Sequence, residues 1–254
     1  MPKPAAQPQI LVADDDAVSL RFLAAALTEL GCTVASAASG SAALEACVNA
    51  RFDLLLFDRR MPDLGGAALL SALRARGVNA PALATSAELE PSARAELQAA
   101  GYADALTKPI ALDVLAQALA TQLCGWSDPR ASASTTATTV SAIDNVDPST
   151  LLDDAAGLAC VGADRATLKV LRDLLAGELQ TLRDRLVGIP SPADLAETLH
   201  RLRASCRYCG ATALGDAALR LETAIRADAD TAPAFAQFAD VCTRTHAALS
   251  SQTR

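Results

Sequence analysis

The sequence predicts two domains of different class, a doubly wound α/β domain with a five-stranded parallel sheet and then an all-α four-helix bundle. Up to residue 124, short apolar runs alternate with helical patterns, which is typical of β/α units. After residue 149, apolar residues recur only at helical spacing. Residues 125–148 are rich in Ser, Thr and Ala without any amphipathic period, which indicates a flexible linker. We therefore expect domains at 8–124 and 149–252.

Five short apolar runs are expected to be the strands of the first domain. The run Leu-Leu-Leu-Phe at 54–57 contains no polar residue, which indicates a central strand covered on both faces. The first helix begins after Asp16, whose side chain is expected to cap it. The predicted strands are 10–13, 33–37, 54–57, 82–85 and 105–107, and the helices that follow them are 17–30, 41–50, 67–76, 91–99 and 112–123.

Polar side chains follow four of these strands, where the carboxyl ends of a parallel sheet meet at one edge. They are Asp14, Asp15, Asp58, Ser86 and Lys108. Crowded carboxylates repel each other and require a cation when ionised, and Mg²⁺ prefers oxygen ligands. A carboxylate such as Asp58 can accept a phosphoryl group as an acyl phosphate. The metal and Lys108 would neutralise its oxygens, and the Ser86 hydroxyl would donate to another.

These motifs resemble those of a known family. The segment Ile-Leu-Val-Ala-Asp-Asp-Asp, the pattern Asp-x-x-Met-Pro-x-x-x-Gly, a hydroxyl residue near the fourth strand and the final Lys-Pro are similar to those of a response-regulator receiver domain, over residues 8–124. The resemblance implies a flavodoxin-like receiver that catalyses its own aspartyl phosphorylation. It implies Asp58 as phosphoacceptor, a Mg²⁺ site formed by Asp14, Asp15, Asp58 and the Arg60 carbonyl, and Ser86 and Lys108 as the phosphoryl-binding switch residues.

One departure from the motif and one pair of charged residues lead to further expectations. The family often has an aromatic residue three positions before the lysine, where this chain has Ala105, and the nearby aromatic residue is Tyr102. This predicts a receiver that serves mainly as a phosphoryl way-station. Arg60 and Glu88 each stand two residues beyond a site residue, and an ion pair between them is expected to hinder the water that hydrolyses the acyl phosphate.

The second half predicts four helices with short connections, preceded by a short helix near 151–160. His200 lies outside the apolar stripe of its helix and is expected to face solvent. Arg203 and Arg207 fall on the same side, where they can pair with phosphoryl oxygens. Ala196 and Ala204, one turn away in each direction, are expected to leave clearance for an approaching domain.

The surroundings of His200 resemble the motif of the histidine phosphotransfer (HPt) domain. The run His-Arg-Leu-Arg-Ala-Ser, followed by Gly-Ala at 210–211 and Leu-Glu at 221–222, carries this resemblance over roughly residues 149–250. It implies that His200 carries a phosphoryl group, with Arg203 where the family has Lys or Arg. The other histidine, His246, has no comparable surroundings and is expected to be an ordinary helix residue.

Composition excludes several other classes. The net charge is −7 and aromatic residues are 3% of the chain, so no basic, aromatic-rich surface for nucleic acid is expected. No apolar stretch is long enough for membrane insertion, and the first residues lack the apolar core of a signal peptide. Seven scattered cysteines suit a reducing cytoplasm, and Cys206 and Cys209 are expected in the core. Without a P-loop or Gly-rich ATP lid, the phosphate must come from a sensor histidine kinase or another receiver or HPt protein.

The leading interpretation is a receiver–HPt phosphorelay protein that moves a phosphoryl group between Asp58 and His200, in cis or through partners. An alternative is that the receiver gates access to His200 by docking on the bundle and that phosphorylation releases it, without transfer between the two residues. A third is that the chain is the C-terminal tail of a hybrid sensor kinase, although Met1 without an upstream helical pattern favours a complete chain. The direction of flow, the partners' identities, the stimulus and the oligomeric state stay open.

Overall fold

The computed structural model describes residues 7–87, 89, 91–132, 151–162, 164–186 and 191–252. The chain divides into two compact units, 1–138 and 139–254. Of the segment predicted as a linker, residues 133–148 lie outside the described residues, and so does Glu88.

The first unit is a five-stranded parallel sheet with strand order β2-β1-β3-β4-β5. Its helices alternate with the strands, so the predicted doubly wound α/β class is confirmed. The strands are β1 (Gln9–Ala13), β2 (Thr33–Ala37), β3 (Leu54–Asp58), β4 (Ala82–Ser86) and β5 (Asp104–Thr107); the helices are α1 (Ala17–Glu29), α2 (Gly40–Asn49), α3 (Gly66–Ala75), α4 (Pro91–Ala99) and α5 (Leu112–Gln122).

The register of the central strands determines which side chains meet at the carboxyl edge. β3 is buried along its whole length, as its apolar sequence predicted, and it pairs with β1 on one side and β4 on the other. Asp58 at its end lies beside Thr85 of β4, and Ser86 lies beside Thr107 of β5. The loops that follow β1, β3, β4 and β5 therefore meet at one edge.

Residues 125–132, at the start of the predicted linker, lie within the first unit and contact α5 and the residue that follows it. The Trp126 N–H donates to the Leu123 carbonyl, and a short 3₁₀ helix covers Pro129–Ser132. Arg130 pairs with Asp128 at 2.7 Å and with Asp113 of α5 at 3.1 Å. The described part of this segment is thus joined to α5 by an ion pair.

The second unit is helical, in agreement with the predicted bundle. It comprises α6 (Asp154–Cys160), α7 (Arg165–Leu186), α8 (Pro192–Cys209), α9 (Thr212–Arg226) and α10 (Ala232–Gln252). The four long helices pack in the cyclic order α7-α8-α9-α10, and the leucine stripes and both cysteines at the end of α8 are buried between them. Gly210 ends α8 with φ +70°, and a Cβ there would lie 2.0 Å from the Asp153 carbonyl oxygen, so this turn requires glycine.

Within the described residues, no helix has both the length and the apolar character needed to cross a lipid bilayer.

Candidate functional site

The carboxyl edge of the sheet holds a buried lysine between two carboxylates. Lys108 Nζ lies 2.6 Å from Asp14 Oδ2 and 2.7 Å from Asp58 Oδ1. All three residues are buried, and only 4% of the Lys108 side chain is exposed. The structure thus brings together three predicted site residues that are up to 94 positions apart in sequence.

The Asp58 carboxylate is oriented by neighbours on both sides. Its Oδ2 accepts the Arg60 backbone N–H at 2.7 Å, and its Oδ1 accepts the Thr85 hydroxyl at 3.4 Å. Thr85 was not among the predicted site residues. No strand order was predicted from the sequence; in the structure the pairing of β3 with β4 places Thr85 beside Asp58, where neighbouring residues of paired strands point to the same face.

Asp14 is held at the end of β1 in a strongly acidic environment. Its backbone N–H donates to the Ala37 carbonyl, and its Oδ1 accepts the Asp16 N–H at 3.0 Å. Burial raises the pKa of the Asp14 carboxyl above its usual range; the Lys108 ammonium opposes this, and the charges of Asp58 and Asp16 add to it. Asp16 itself accepts the Ser19 N–H at 2.9 Å and caps α1, as predicted.

The remaining predicted residues of this edge lie around that centre. Ser86 is buried, and its carbonyl accepts the Lys108 N–H at 2.8 Å, which joins the ends of β4 and β5. Asp15 is half-buried in the turn after β1, and Arg60 is exposed in the loop after β3. The expected Arg60–Glu88 ion pair involves a residue outside the described part of the chain.

The donor set at this edge suits Mg²⁺ in chemistry and charge. Carboxylate and carbonyl oxygens are its preferred protein ligands. Asp14 and Asp58 share a single ammonium group, and burial disfavours the charged form of Asp14, which a further cation at this site would favour. No three His, Cys, Asp or Glu side chains are grouped as metal ligands among the described residues, and the Lys108 ammonium lies between Asp14 and Asp58. The residues therefore fit the ion through their oxygen donors and charge.

In the helical unit, His200 on α8 contacts a carboxylate of the next helix. His200 Nδ1 lies 3.1 Å from Glu222 Oε1 on α9. Although burial opposes ionisation, hydrogen bonds from His200 and Arg203 lower the pKa of Glu222 to about 2. An ionised carboxylate can only accept a hydrogen bond, so Nδ1 carries a proton, and in the neutral ring the lone pair is then on Nε2.

Two arginines complete the cluster around Glu222. Arg203 Nη1 donates to Oε2 at 2.9 Å, and Arg226 Nη2 donates to Oε1 at 2.6 Å. The sequence identified Glu222 only as part of a motif, because apolar periodicity carries no signal for a polar contact between two helices. The structure shows that the Glu222 carboxylate accepts hydrogen bonds from His200, Arg203 and Arg226.

Several expectations about exposure around His200 are wrong. Arg203 is buried, with 9% of its side chain exposed, and its guanidinium group forms an ion pair with Glu222. Ala196 and Ala204 are buried too, so they form part of the helix packing rather than a clearance. His200 is only 12% exposed through its side chain, whereas Arg207 is exposed as predicted.

The second histidine has the opposite hydrogen-bond pattern. His246 Nδ1 on α10 lies 3.3 Å from Arg183 Nη1 on α7. A guanidinium group can only donate, so His246 Nδ1 is the acceptor and the proton of the neutral ring is on Nε2. The two histidines therefore present different tautomers, and only His200 keeps an Nε2 lone pair.

The aromatic residue near the receiver lysine lies inside the core. Ala105 is buried on β5, and Tyr102 is buried with its hydroxyl unpaired among the described residues. Burial and the negative charge of Asp58 raise the pKa of Tyr102 above its usual range. A buried hydroxyl without a partner is unfavourable.

Comparisons with known proteins agree with both resemblances. Residues 10–120 match the model of the response regulator receiver domain, and residues 166–251 match that of the Hpt domain. The chain therefore carries a receiver domain followed by an Hpt domain. This pair of domains is one that functions in phosphorelay signalling.

Curated relatives match across both domains. The chain is 28% identical over 235 residues to the sensor protein GacS of Pseudomonas syringae pv. syringae, covering 87% of this chain and 25% of that protein. It is 30% identical over 268 residues to the virulence sensor protein BvgS of Bordetella pertussis, covering 99% of this chain and 21% of that protein. The chain thus spans about a quarter or less of the length of these relatives.

Among solved structures, the chemotaxis protein CheY4 of Vibrio cholerae is 29% identical, with a TM-score of 0.45. The match covers 46% of this chain and 100% of that one.

Proposed function

We propose that Asp58 accepts a phosphoryl group and that His200 exchanges a phosphoryl group with Asp58 or with partner proteins. The observation that carries this proposal is the buried Asp14–Lys108–Asp58 arrangement, with Lys108 Nζ 2.7 Å from the proposed phosphoacceptor. We further propose domains at 8–124 and 149–252, joined by 125–148.

In the first step, a carboxylate oxygen of Asp58 attacks the phosphorus of a donor. The new O–P bond forms as the donor's bond to phosphorus breaks, and the donor group leaves with the bonding electrons. Lys108 neutralises the phosphoryl oxygens, and the hydroxyl of Ser86, just beyond β4, donates to one of them. The Arg60 N–H keeps the second Asp58 oxygen in place.

Mg²⁺ would be held by the carboxylates of Asp14, Asp15 and Asp58 and by the Arg60 carbonyl. When bound, it would supply positive charge to the phosphoryl oxygens during transfer.

In the second step, the Nε2 lone pair of His200 attacks the phosphorus on Asp58, the acyl O–P bond breaks and the carboxylate leaves. The phosphorylated ring is positively charged while Nδ1 keeps its proton, and the Glu222 carboxylate 3.1 Å away stabilises that charge. Arg203 acts through Glu222, because its guanidinium group keeps this carboxylate ionised and in place.

Two classes of partner follow from this chemistry. A histidine kinase is the proposed source of the phosphoryl group, because several similar proteins are named as sensor kinases. A separate receiver or Hpt protein would take the group onward. The similarity to sensor proteins across both domains also supports a role for this pair as one section of a hybrid kinase relay.

Labelling with acetyl phosphate tests the first step. The full chain should gain acid-labile and base-labile phosphate when Mg²⁺ is present. It should gain no such label when EDTA is present during the reaction. Asp58→Asn should abolish the label, whereas Asp53→Asn, on the opposite edge of the sheet, should leave it unchanged. Acid-stable phosphate, or full labelling of Asp58→Asn, would contradict the assignment.

A further inference from the structure

An exposed aspartate of the β3–α3 loop, which is residues 59–65, binds the first turn of a neighbouring helix. Asp63 Oδ1 accepts the Gly40 N–H at 3.1 Å, and Oδ2 accepts the Ser41 N–H at 2.8 Å. The Ser41 hydroxyl donates to the same Oδ2 at 2.5 Å. These hydrogen bonds, those of Ser41 first, hold the pKa of Asp63 well below its usual range.

A second observation shows that the loop and α2 are in close contact at this point. A Cβ on Gly40 would lie 2.3 Å from the Leu64 carbonyl oxygen and 2.8 Å from the Leu64 Cβ. Ser39 already caps α2 by accepting the Ala42 N–H at 3.1 Å. The Asp63 contacts are therefore not needed to cap α2, which already has a cap. We infer that their main effect is to hold the β3–α3 loop against this helix.

The same loop carries a direct contact to the phosphorylation site. Its Arg60 N–H donates to Asp58 Oδ2 at 2.7 Å, and at its far end the Gly66 N–H donates to the Arg59 carbonyl at 3.3 Å. Both of these bonds are local to the loop and its ends. Among the described contacts, Asp63 provides the side-chain hydrogen bonds that join the middle of the loop to a different element.

We propose that Asp63 is a positioning residue of the Asp58 site, which holds residues 59–65 on α2 so that Arg60 stays in place beside Asp58. The inference rests on the proposed function and deepens it, because Arg60 is also a proposed Mg²⁺ ligand. Outer residues that orient metal ligands typically change affinity by about tenfold or more when they are removed.

The test is Mg²⁺ binding to the unphosphorylated full chain, measured by calorimetry, together with hydrogen exchange at the Arg60 amide. Asp63→Ala should weaken Mg²⁺ binding about tenfold and speed exchange at Arg60. Asp63→Asn keeps one acceptor oxygen and should give an intermediate affinity. Asp53→Ala is the matched control, because this exposed aspartate accepts the Gln9 N–H at 2.7 Å on the opposite edge of the sheet.

The outcomes separate the inference from the proposed function. Unchanged Mg²⁺ affinity in Asp63→Ala, or an equal loss in Asp53→Ala, overturns the positioning role. A wild-type chain that binds no Mg²⁺ overturns both. Continued phosphorylation of Asp58→Asn overturns the proposed function alone, while the Mg²⁺ affinities still decide the role of Asp63.

Discussion

Replacing Glu222 by Gln removes the charge at the centre of the His200 cluster and keeps the shape of the side chain. Arg203 would then lie buried opposite a neutral amide, with 9% of its side chain exposed. Arg226 is about half exposed and can return to water. We therefore expect the loss of stability to come mainly from Arg203.

Two independent routes give the same magnitude. A carboxyl whose pKa falls from 4.5 to about 2 on folding contributes about 3 kcal/mol at neutral pH. Removing one partner of a buried ion pair costs about 3–5 kcal/mol, because the other charge stays buried without compensation. We expect Glu222→Gln to lower the free energy of unfolding of the Hpt domain by about 3 kcal/mol.

The pH dependence has a defined sign. Because the pKa of Glu222 is lower in the folded state than in the unfolded state, its contribution is present above pH 4.5 and is lost as pH falls towards about 2. The wild-type and variant proteins should therefore differ at neutral pH and converge in acid.

Unfolding of the full chain in urea is monitored by hydrogen-exchange mass spectrometry of peptides from α8 and α9. These peptides report the difference in stability between wild type and Glu222→Gln in the helical domain, separately from the receiver. The control is Glu197→Gln, an exposed glutamate on α8, which should change stability by less than about 0.5 kcal/mol. Equal stability of Glu222→Gln and wild type at neutral pH would refute the reasoning, and so would a difference that persists unchanged in acid.

Three further predictions follow from the same contacts. His200→Gln should abolish base-stable phosphohistidine while His246→Gln retains it, because in the neutral rings only His200 has its lone pair on Nε2. Phosphohistidine analysis of both variants checks this. Label that survives in His200→Gln would disprove it. Tyr102→Phe should raise the free energy of unfolding of the receiver by about 1 kcal/mol, since it removes a buried unpaired hydroxyl; a loss of stability in urea unfolding would contradict this. Lys108→Met should leave Asp14 without its buried cation. Mg²⁺ should therefore raise the thermal unfolding temperature more in the variant than in wild type. An equal or smaller rise would contradict the idea that Asp14 and Asp58 depend on the charge of Lys108.

The strands could be predicted closely because their signal is local. The run at 54–57 has no polar residue, and the structure extends that strand by only Asp58. The helix boundaries were also local, since Asp16 caps α1 by a hydrogen bond three residues ahead. Parallel strands then bring their carboxyl ends to one edge, so Asp58 and Lys108 could be placed together from topology alone.

The polar contacts between elements could not be predicted in this way. Helical periodicity assigned Arg203 to an exposed face, because it treats a charged residue outside the apolar stripe as solvated. The structure buries it against Glu222 on the next helix, and the register between two helices is not encoded in the spacing of either one. Asp63 and Thr85 were also missed, because their contacts depend on how two separate elements pack or pair, which the sequence pattern of neither element specifies.

The central claim is that a phosphoryl group passes between Asp58 and His200, and one measurement tests it directly. The full chain is labelled on Asp58 with acetyl phosphate and Mg²⁺, freed of the donor and followed over time for base-stable, acid-labile phosphate, with Asp58→Asn and His200→Gln chains in parallel. The account predicts that base-labile label declines as base-stable label appears in wild type, and that neither variant alone forms base-stable label. Release of all the label from wild type as inorganic phosphate, or base-stable label on the His200→Gln chain, would contradict it.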